Sequence, residues 1–488
     1  MDKDIEDRRL CTACVREPYL SALISTQGTD SQCDYCGDED KCFEISKVCD
    51  EVHGAFKRHF SRARMEMNSY EWAMHKDSES SYDFEPAGDQ TVYAIMGVAD
   101  VSETVATDIQ QVLEERFEDF EAAQIGETTE YDSDLHYEEV KPDDREWYQA
   151  WFSFERSLKR EARFFSTHAL EVLNSVFEGI GTMTTRRGGS LIVDGGPGTG
   201  YEYLYRARAF QSQAKLEAAL LRPDKEIGPP PSALAASGRM NARGISAFYG
   251  ATDPETAIAE VRPPVGSKVA IGKFTVIRPI RLLDLTALRG AAAPAGSFFD
   301  PKYATALSRM SFLRSLSRRM SRPVMPDDQE FEYLPTQAVA DFLATDMVAP
   351  LDGIIFPSVQ AGGNAQNVVL FHKASLVEKI VIPANTETSV RGEREDEDGS
   401  YPEYTVTWWL PPDGDNAPPT DAAWDPLIDM WRSPTASEDD MDFGSGRLET
   451  LSISSKDLEV RHIDAIRFDT EDYEVGFSQY KRQKVSDY

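Results

Sequence analysis

The 488-residue chain has no apolar run near the roughly 20 residues that a membrane-spanning helix needs, which excludes an integral helical membrane protein. Its first residues, MDKDIEDRRL, are charged and form no apolar signal region, so the chain reads as soluble and cytoplasmic. Basic residues are scarce. Against 84 Asp and Glu stand 51 Lys and Arg, for a net charge of -33. A phosphate backbone would be repelled at long range, which argues against a general nucleic-acid binder. Histidine is scarcer still, and His372 is the single one between residues 187 and 390. That stretch therefore lacks the imidazole of a Ser-His-Asp hydrolase and the ligands of a His/Glu metal cluster.

Cysteine is limited to six residues, and four of them are arranged. Cys11-Thr-Ala-Cys14 and Cys33-Asp-Tyr-Cys36 are 18 residues apart, the spacing of a four-thiolate zinc site. Gly37 supplies the tight turn of a knuckle. A closed set of four sulfurs leaves no open coordination position, so the Zn2+ expected there is structural. Disulfides compete for the same residues, but a leaderless cytosolic chain disfavours them. Cys42 and Cys49 follow at helical spacing and read as half-buried thiols.

Charge divides the chain. Residues 1–186 carry 19 Lys and Arg and 41 Asp and Glu; residues 187–390 carry 22 and 19; residues 391–488 carry 10 and 24. The near-neutral middle admits a small anionic ligand, while the acidic flanks serve equally well as solubilising faces. We divide the chain into a zinc knuckle (1–48), a helical domain (49–186), a mixed α/β domain (187–390) and an acidic, partly disordered extension (391–488). The class is α+β. In the helical domain, three- and four-residue spacing predicts helices over Lys47–Met67, Glu103–Phe120 and Arg145–Gly179. Phe56, Phe60, Met65 and Met67 read as packing residues, as do Trp147, Trp151, Phe152 and Phe154. Glu127–Asp144 reads as an acidic loop. Ser190–Gly200 resembles a strand entering a phosphate loop but lacks its Lys-Ser/Thr, and reads as a flexible domain entry.

The densest chemistry lies in Ser237–Arg262, which holds Arg239, Asn241, Arg243, Tyr249 and Glu260. Ile245–Tyr249 reads as a strand. Asp253 is a helix N-cap, Pro254 fits the first helical position, and the helix carries Glu260. Such a group suits a ligand with phosphates and a ring; its plainer reading is a β-loop-α corner with surface arginines. Tyr203–Phe210 alternates as a strand that puts Arg206 and Arg208 on one face, where two cations would clamp a pyrophosphate. Val269–Ile277, Ile280–Thr286, Gly353–Ser358, Asn367–His372 and Val377–Ile382 read as strands, and Pro335–Leu343 as a helix. In the tail, Arg391–Ser400 reads as a linker, Tyr404–Leu410 as a strand, Pro411–Thr420 and Ser433–Gly446 as mobile, and Leu448–Phe477 as a weak hairpin. Lys481-Arg482-Gln483-Lys484 is too short for a nucleic-acid patch.

Tyr205-Arg206, Gly238-Arg239-Met240-Asn241, Phe248-Tyr249-Gly250-Ala251, Thr256–Arg262, Leu283–Thr286, Glu332–Gln337, Gly353–Ser358 and Asn367–Phe371 resemble, in order, the motifs of the RES domain, named for an Arg, a Glu and a Ser. By motif position these are Arg206, Glu260 and Ser358. Arg239 and Tyr249 fall on positions that line the same pocket, and Asn367 joins Ser358 as a substrate-bonding residue from a β-hairpin. Met240 stands where many members carry Trp. The cysteine knuckle and the Arg163-Phe-Phe block resemble the HEPN/RES N-terminal domain that often precedes it.

The resemblance implies an ADP-ribosyltransferase-like fold and an NAD+-consuming toxin or defence enzyme. It would cleave the nicotinamide–ribose bond by phosphorolysis or hydrolysis, with inorganic phosphate as a possible co-substrate and an Xre-type antitoxin as partner. A carboxylate at Glu260 would face the oxocarbenium-like ribose, and Arg206 and Arg239 would hold phosphates. Three other readings stand beside it: an ADP-ribosyltransferase acting on a macromolecule, a HEPN-type ribonuclease using Arg163 and His168, and a non-catalytic zinc-anchored interaction protein.

Overall fold

A computed structural model describes residues 4–76, 83–118, 129–345, 349–396, 399–411, 447–467 and 470–479. The chain divides into two compact units, each assembled from two stretches: Met1–Val193 with Leu283–Pro350, and Asp194–Leu282 with Leu351–Tyr488.

In the first unit, Ile45–His59 forms a helix that buries Val48, Cys49, Val52, Ala55 and Phe56, the stripe expected of an amphipathic helix. Lys57, Arg58 and His59 in its last turn suit the negative end of the helix dipole. The stripe shares one core with Val105, Ile109, Val112 and Leu113 of the helix Glu103–Arg116, and with Phe299 from the second stretch. The expected helix over 47–67 stops at His59. Phe60–Arg62 instead pairs as a strand with His136–Glu139, so Met65 is exposed and the supposed loop at 127–144 contains a strand. Cys42 and Cys49 do not share a helix: Cys42 lies on the strand Glu39–Glu44, and both are fully buried.

The expected helix 145–179 is two, Arg145–Arg160 and Thr167–Phe177. Ser166 caps the second by accepting from Ala169 N at 3.2 Å, and Arg163 Nε closes the first by donating to Leu158 O at 3.2 Å. Trp151, Phe154 and Leu158 are buried at helical spacing, whereas Phe152 points off that face and is 67% exposed. A twenty-residue helix that the sequence reading did not assign, Pro301–Met320, starts at the N-cap Asp300 and buries Leu307, Met310, Leu313, Leu316 and Met320.

The second unit is organised by a mixed sheet. Its strand order is Leu376–Val377, Glu449–Ser452, Lys268–Val276, Tyr203–Phe210, Phe248–Ala251, Gln366–Leu370, Gly353–Pro357, Ile280–Asp284, Ile192–Gly195. In the last two of these strands the chain passes from one unit to the other. Gly353 is required where it stands, because a Cβ there would lie 2.2 Å from Val369 O of the paired strand.

Several strand bounds differ from expectation. Ile245–Ala247 is not extended into the sheet, because the Asn241 amide donates to Ala236 O, Ala242 O and Ile245 O and holds that stretch as a loop; the strand is Phe248–Ala251. Of Val377–Ile382 only Val377 is in a strand, since Ile380 N turns to Asp224 Oδ2. The supposed linker at 391–400 belongs to a hairpin, Glu387–Asp396 against Gly399–Trp409, in register from Glu387 with Trp409 to Asp396 with Gly399. Glu449–Ser452 and Leu458–His462 do not pair with each other; a turn capped by Ser454 lets both lie along one edge of Lys268–Val276. The expectations for 412–420, 433–446 and 481–484 lie outside the described residues.

Candidate active site and candidate metal centre

The four expected cysteines converge. The strand Arg9–Cys11 delivers Cys11, and the turn after it brings Cys14 N to Cys11 O at 3.2 Å. The second knuckle repeats this with Gly37 N on Cys33 O at 3.0 Å, and Gly37 takes φ +82°, a region that favours glycine. All four Sγ atoms lie within 4.8 Å of one another, with Cys11–Cys36 at 3.6 Å and Cys14–Cys33 at 3.8 Å. A tetrahedral ion about 2.3 Å from each sulfur requires sulfurs about 3.8 Å apart. The spacing therefore suits zinc and is far too long for disulfides, and no disulfide is formed. Burial works against the Cys33 thiolate, but backbone N–H groups of Cys36, Tyr35 and Cys11 outweigh it and lower the thiol to about 7. Burial pushes Cys14 the other way. Four like thiolates at this spacing need a cation to coexist.

In the second unit, Asp253 Oδ1 accepts from Thr256 N at 2.8 Å and starts the helix Pro254–Val261 as expected. Thr256 and Ala257 face inward, and Ala257 and Ile258 pack on Ala207, Ala251, Val269 and Ile271 of the sheet. This fixes the helix above the strands and leaves Glu260, near its end, exposed. The strand Gly353–Pro357 delivers Ser358 at its end, and the neighbouring strand delivers Asn367. Ser358 Oγ donates to Glu260 Oε1 at 2.7 Å, and Asn367 Nδ2 donates to the same oxygen at 2.6 Å. Both donors are 5% exposed. Ser358 Oγ also accepts from Ala361 N at 3.1 Å. Among the described residues Glu260 Oε2 accepts no hydrogen bond, so one carboxylate oxygen is anchored and the other is available.

Tyr249 lies on the strand between the Arg206 strand and the Asn367 strand. Its hydroxyl donates to Asn241 Oδ1 at 2.6 Å and accepts from Met240 N at 2.9 Å, which ties down the loop carrying half-buried Arg239. Gly238 is forced there: a Cβ would lie 2.4 Å from Asn241 Oδ1 and 2.6 Å from the Tyr249 hydroxyl. Asn241, 5% exposed, is thus the keystone of the loop. The sequence reading singles it out but gives it no role, because no local pattern separates a buried loop-holding Asn from an exposed one.

Arg206 sits differently. The strands of Arg206 and Tyr249 share one register pair, Tyr205 with Ala251, and Ala251 pairs on to Asn367. Alternation therefore starts the Arg206 side chain on the other face from Asn367. Its Nη1 reaches Tyr249 O at 2.9 Å, and its guanidinium lies 5.6 Å from the Phe248 ring centre. Desolvation lowers its pKa to about 10, so it stays charged at neutral pH. Among the described residues it has no carboxylate partner. Arg208, expected to share its task, is engaged by Glu226 at 3.0 Å. Arg163 and His168 are also occupied: Arg163 closes its helix, and His168 Nε2 lies 3.1 Å from Ser153 Oγ. His372 Nδ1 is 3.1 Å from Ser246 O. The geometry thus brings Glu260, Ser358 and Asn367 into direct contact and joins Tyr249 to the Arg239 loop. Arg206 lies two strands from Asn367, and its side chain starts on the other face of the sheet.

Residues 204–391 match the family model of the RES domain. No curated protein and no solved structure matches the chain. The chain therefore carries a RES domain, a family associated with NAD-related toxin activity. Among the described residues no helix is long and apolar enough to cross a membrane.

Proposed function

We propose that the chain is an NAD+-degrading enzyme that breaks the nicotinamide–ribose bond by phosphorolysis or hydrolysis, acting as a toxin or defence effector. The observation that carries this reading is the Glu260 carboxylate, with one oxygen anchored by Ser358 and Asn367 and the other open. Nicotinamide leaves as a neutral molecule, so the departure needs no general acid, and the ribose left behind gains positive charge. A fixed carboxylate facing that ribose stabilises the charge as it develops, and groups of this kind contribute on the order of 10²–10³ in rate. Ser358 donates a hydrogen bond to Glu260 and accepts one from Ala361 N, which suits an orienting role better than a nucleophilic one. Arg206, charged, desolvated and without a carboxylate partner among the described residues, suits a dinucleotide phosphate or incoming phosphate. Arg239, on the loop that Tyr249 holds, would grip the other side of the dinucleotide, with the Tyr249 ring stacking on nicotinamide.

On this reading the domain has an ADP-ribosyltransferase-like fold, Met1–Val193 includes a HEPN/RES N-terminal domain, and Cys11, Cys14, Cys33 and Cys36 hold a structural Zn2+. An Xre-type antitoxin would be its partner in the cytoplasm. The test is incubation of the purified chain with NAD+, with and without phosphate, and identification of products by mass spectrometry. Free nicotinamide with phosphorylated ADP-ribose supports phosphorolysis, and free ADP-ribose supports hydrolysis. Intact NAD+ under both conditions, or label appearing only on a macromolecule, would overturn the proposal.

A further inference from the structure

The loop that carries Arg239 rejoins the sheet at the buried Ser246, just before the strand Phe248–Ala251. Two successive carbonyls fix that junction. Ile245 O accepts from the Asn241 amide at 2.9 Å, and Ser246 O lies 3.1 Å from His372 Nδ1. A carbonyl only accepts, so His372 Nδ1 carries a proton and donates it to this bond. Ser246 Oγ in turn donates to Pro230 O at 2.7 Å. The exit of the Arg239 loop is therefore tied to the turn His372–Ala374. That turn follows the strand Gln366–Leu370, which delivers Asn367 to Glu260.

The turn is held from much later in the chain. Arg447 Nε donates to His372 O at 3.0 Å, and Arg447 Nη2 donates to Ser375 Oγ at 3.0 Å. Ser375 is fully buried, and its hydroxyl proton has His372 O at 3.1 Å and Ser246 O at 3.5 Å as acceptors. One rigid guanidinium fork thus grips both ends of the turn. Arg447 is itself half-buried and well anchored. Three residues on, the buried Thr450 accepts from Arg278 Nε at 2.9 Å, and its carbonyl accepts from Ile277 N at 2.9 Å. Arg447 lies beyond residue 391, where the family match ends, so the resemblance gives it no role. The two parts of the candidate site thus have separate supports. Glu260 is held by Ser358 and Asn367, whereas the Arg239 loop is held by Asn241 and Tyr249 and, at its exit, by His372 under Arg447.

We propose that Arg447 is a positioning residue of the substrate pocket: acting through His372 and Ser375, it fixes the exit of the Arg239 loop and so sets the grip on the dinucleotide, leaving the chemistry at Glu260 alone. The identity of the ligand rests on the NAD+ reading; the fixing of the loop does not. The test is hydrogen exchange by mass spectrometry on the full chain, together with steady-state NAD+ kinetics. Gly238 N, Met240 N and Gly244 N are bonded to Asn241 O, the Tyr249 hydroxyl and Ala235 O. In Arg447→Ala, peptides covering 238–244 are expected to exchange about tenfold faster, while those covering 254–260 keep their rates. KM for NAD+ is expected to rise about tenfold with kcat within about twofold, the mark of binding lost equally from ground and transition states. His372→Ala, which leaves Arg447 in place, is expected to reproduce both changes. Unchanged exchange of the loop in both variants, or a fall in kcat at constant KM, would overturn the proposal. A wild-type chain that leaves NAD+ intact, with the loop loosened in both variants, would strike the NAD+ reading and uphold the positioning role.

Discussion

The cysteine centre and the Glu260 centre are built on opposite plans. Four sulfurs from two short knuckles face one another, all are within 4.8 Å, and no donor is left over. Glu260 draws its partners from 98 and 107 residues away, and both spend their donors on one oxygen while the other stays open. A closed set of four sulfurs suits an ion, and on the proposed reading its contribution is to folding. A half-satisfied carboxylate held by buried donors is preorganised, and on the proposed function its contribution is to chemistry. Loss of the first should therefore remove structure, and loss of the second should remove turnover alone.

The sharpest division comes from the metal. Binding of a structural zinc is worth on the order of 10 kcal/mol or more, so chelation or Cys33→Ser should unfold the knuckle and lower near-ultraviolet dichroism, with about one zinc per native chain lost by elemental analysis. Cys33→Ser that retains its metal and melting profile would erase the contrast. Next in size, Glu260→Gln should lower NAD+ turnover by about 10²–10³ or more with the melting temperature held, because the shape is kept and the charge is removed. Asn367→Ala and Ser358→Ala should each cost about tenfold in kcat, and the pair should cost less than the product of the two, since both act through one oxygen. Full additivity would separate their roles. The smallest effect belongs to Gly37→Ala. No atom lies within 4 Å of the added Cβ, so only the φ of +82° opposes it, at about 1–2 kcal/mol, read as a small drop in melting temperature without loss of turnover.

Local grammar was legible in the sequence. The two CxxC turns, the Asp253 cap with Pro254, and the strand Tyr203–Phe210 all depend on residues a few positions apart, and the structure has them. The contact of Ser358 and Asn367 with Glu260 was reachable only through the family resemblance, because no local pattern links positions about a hundred residues apart. Where local pattern misled, a distant or side-chain partner decided. Asn241 holds Ile245 out of the sheet, and His136–Glu139 turns Phe60–Arg62 from helix to strand. Arg206 was expected beside Arg208 as a clamp, yet Arg208 is tied to Glu226 and Arg206 reaches Tyr249 O of the neighbouring strand. The helix Pro301–Met320 has its start signal in Asp300-Pro301, but its apolar residues are diluted by Ser and Arg, so periodicity alone does not assign it.

The family match ends at residue 391, but the sheet does not. Lys268–Val276 has its outer side covered by Leu458–His462 and Glu449–Ser452. A fragment trimmed to the matched residues would bare a row of unpaired amides and carbonyls on an apolar ribbon, a template for sticking to its own copies. The smallest piece expected to stay monodisperse therefore reaches at least to His462.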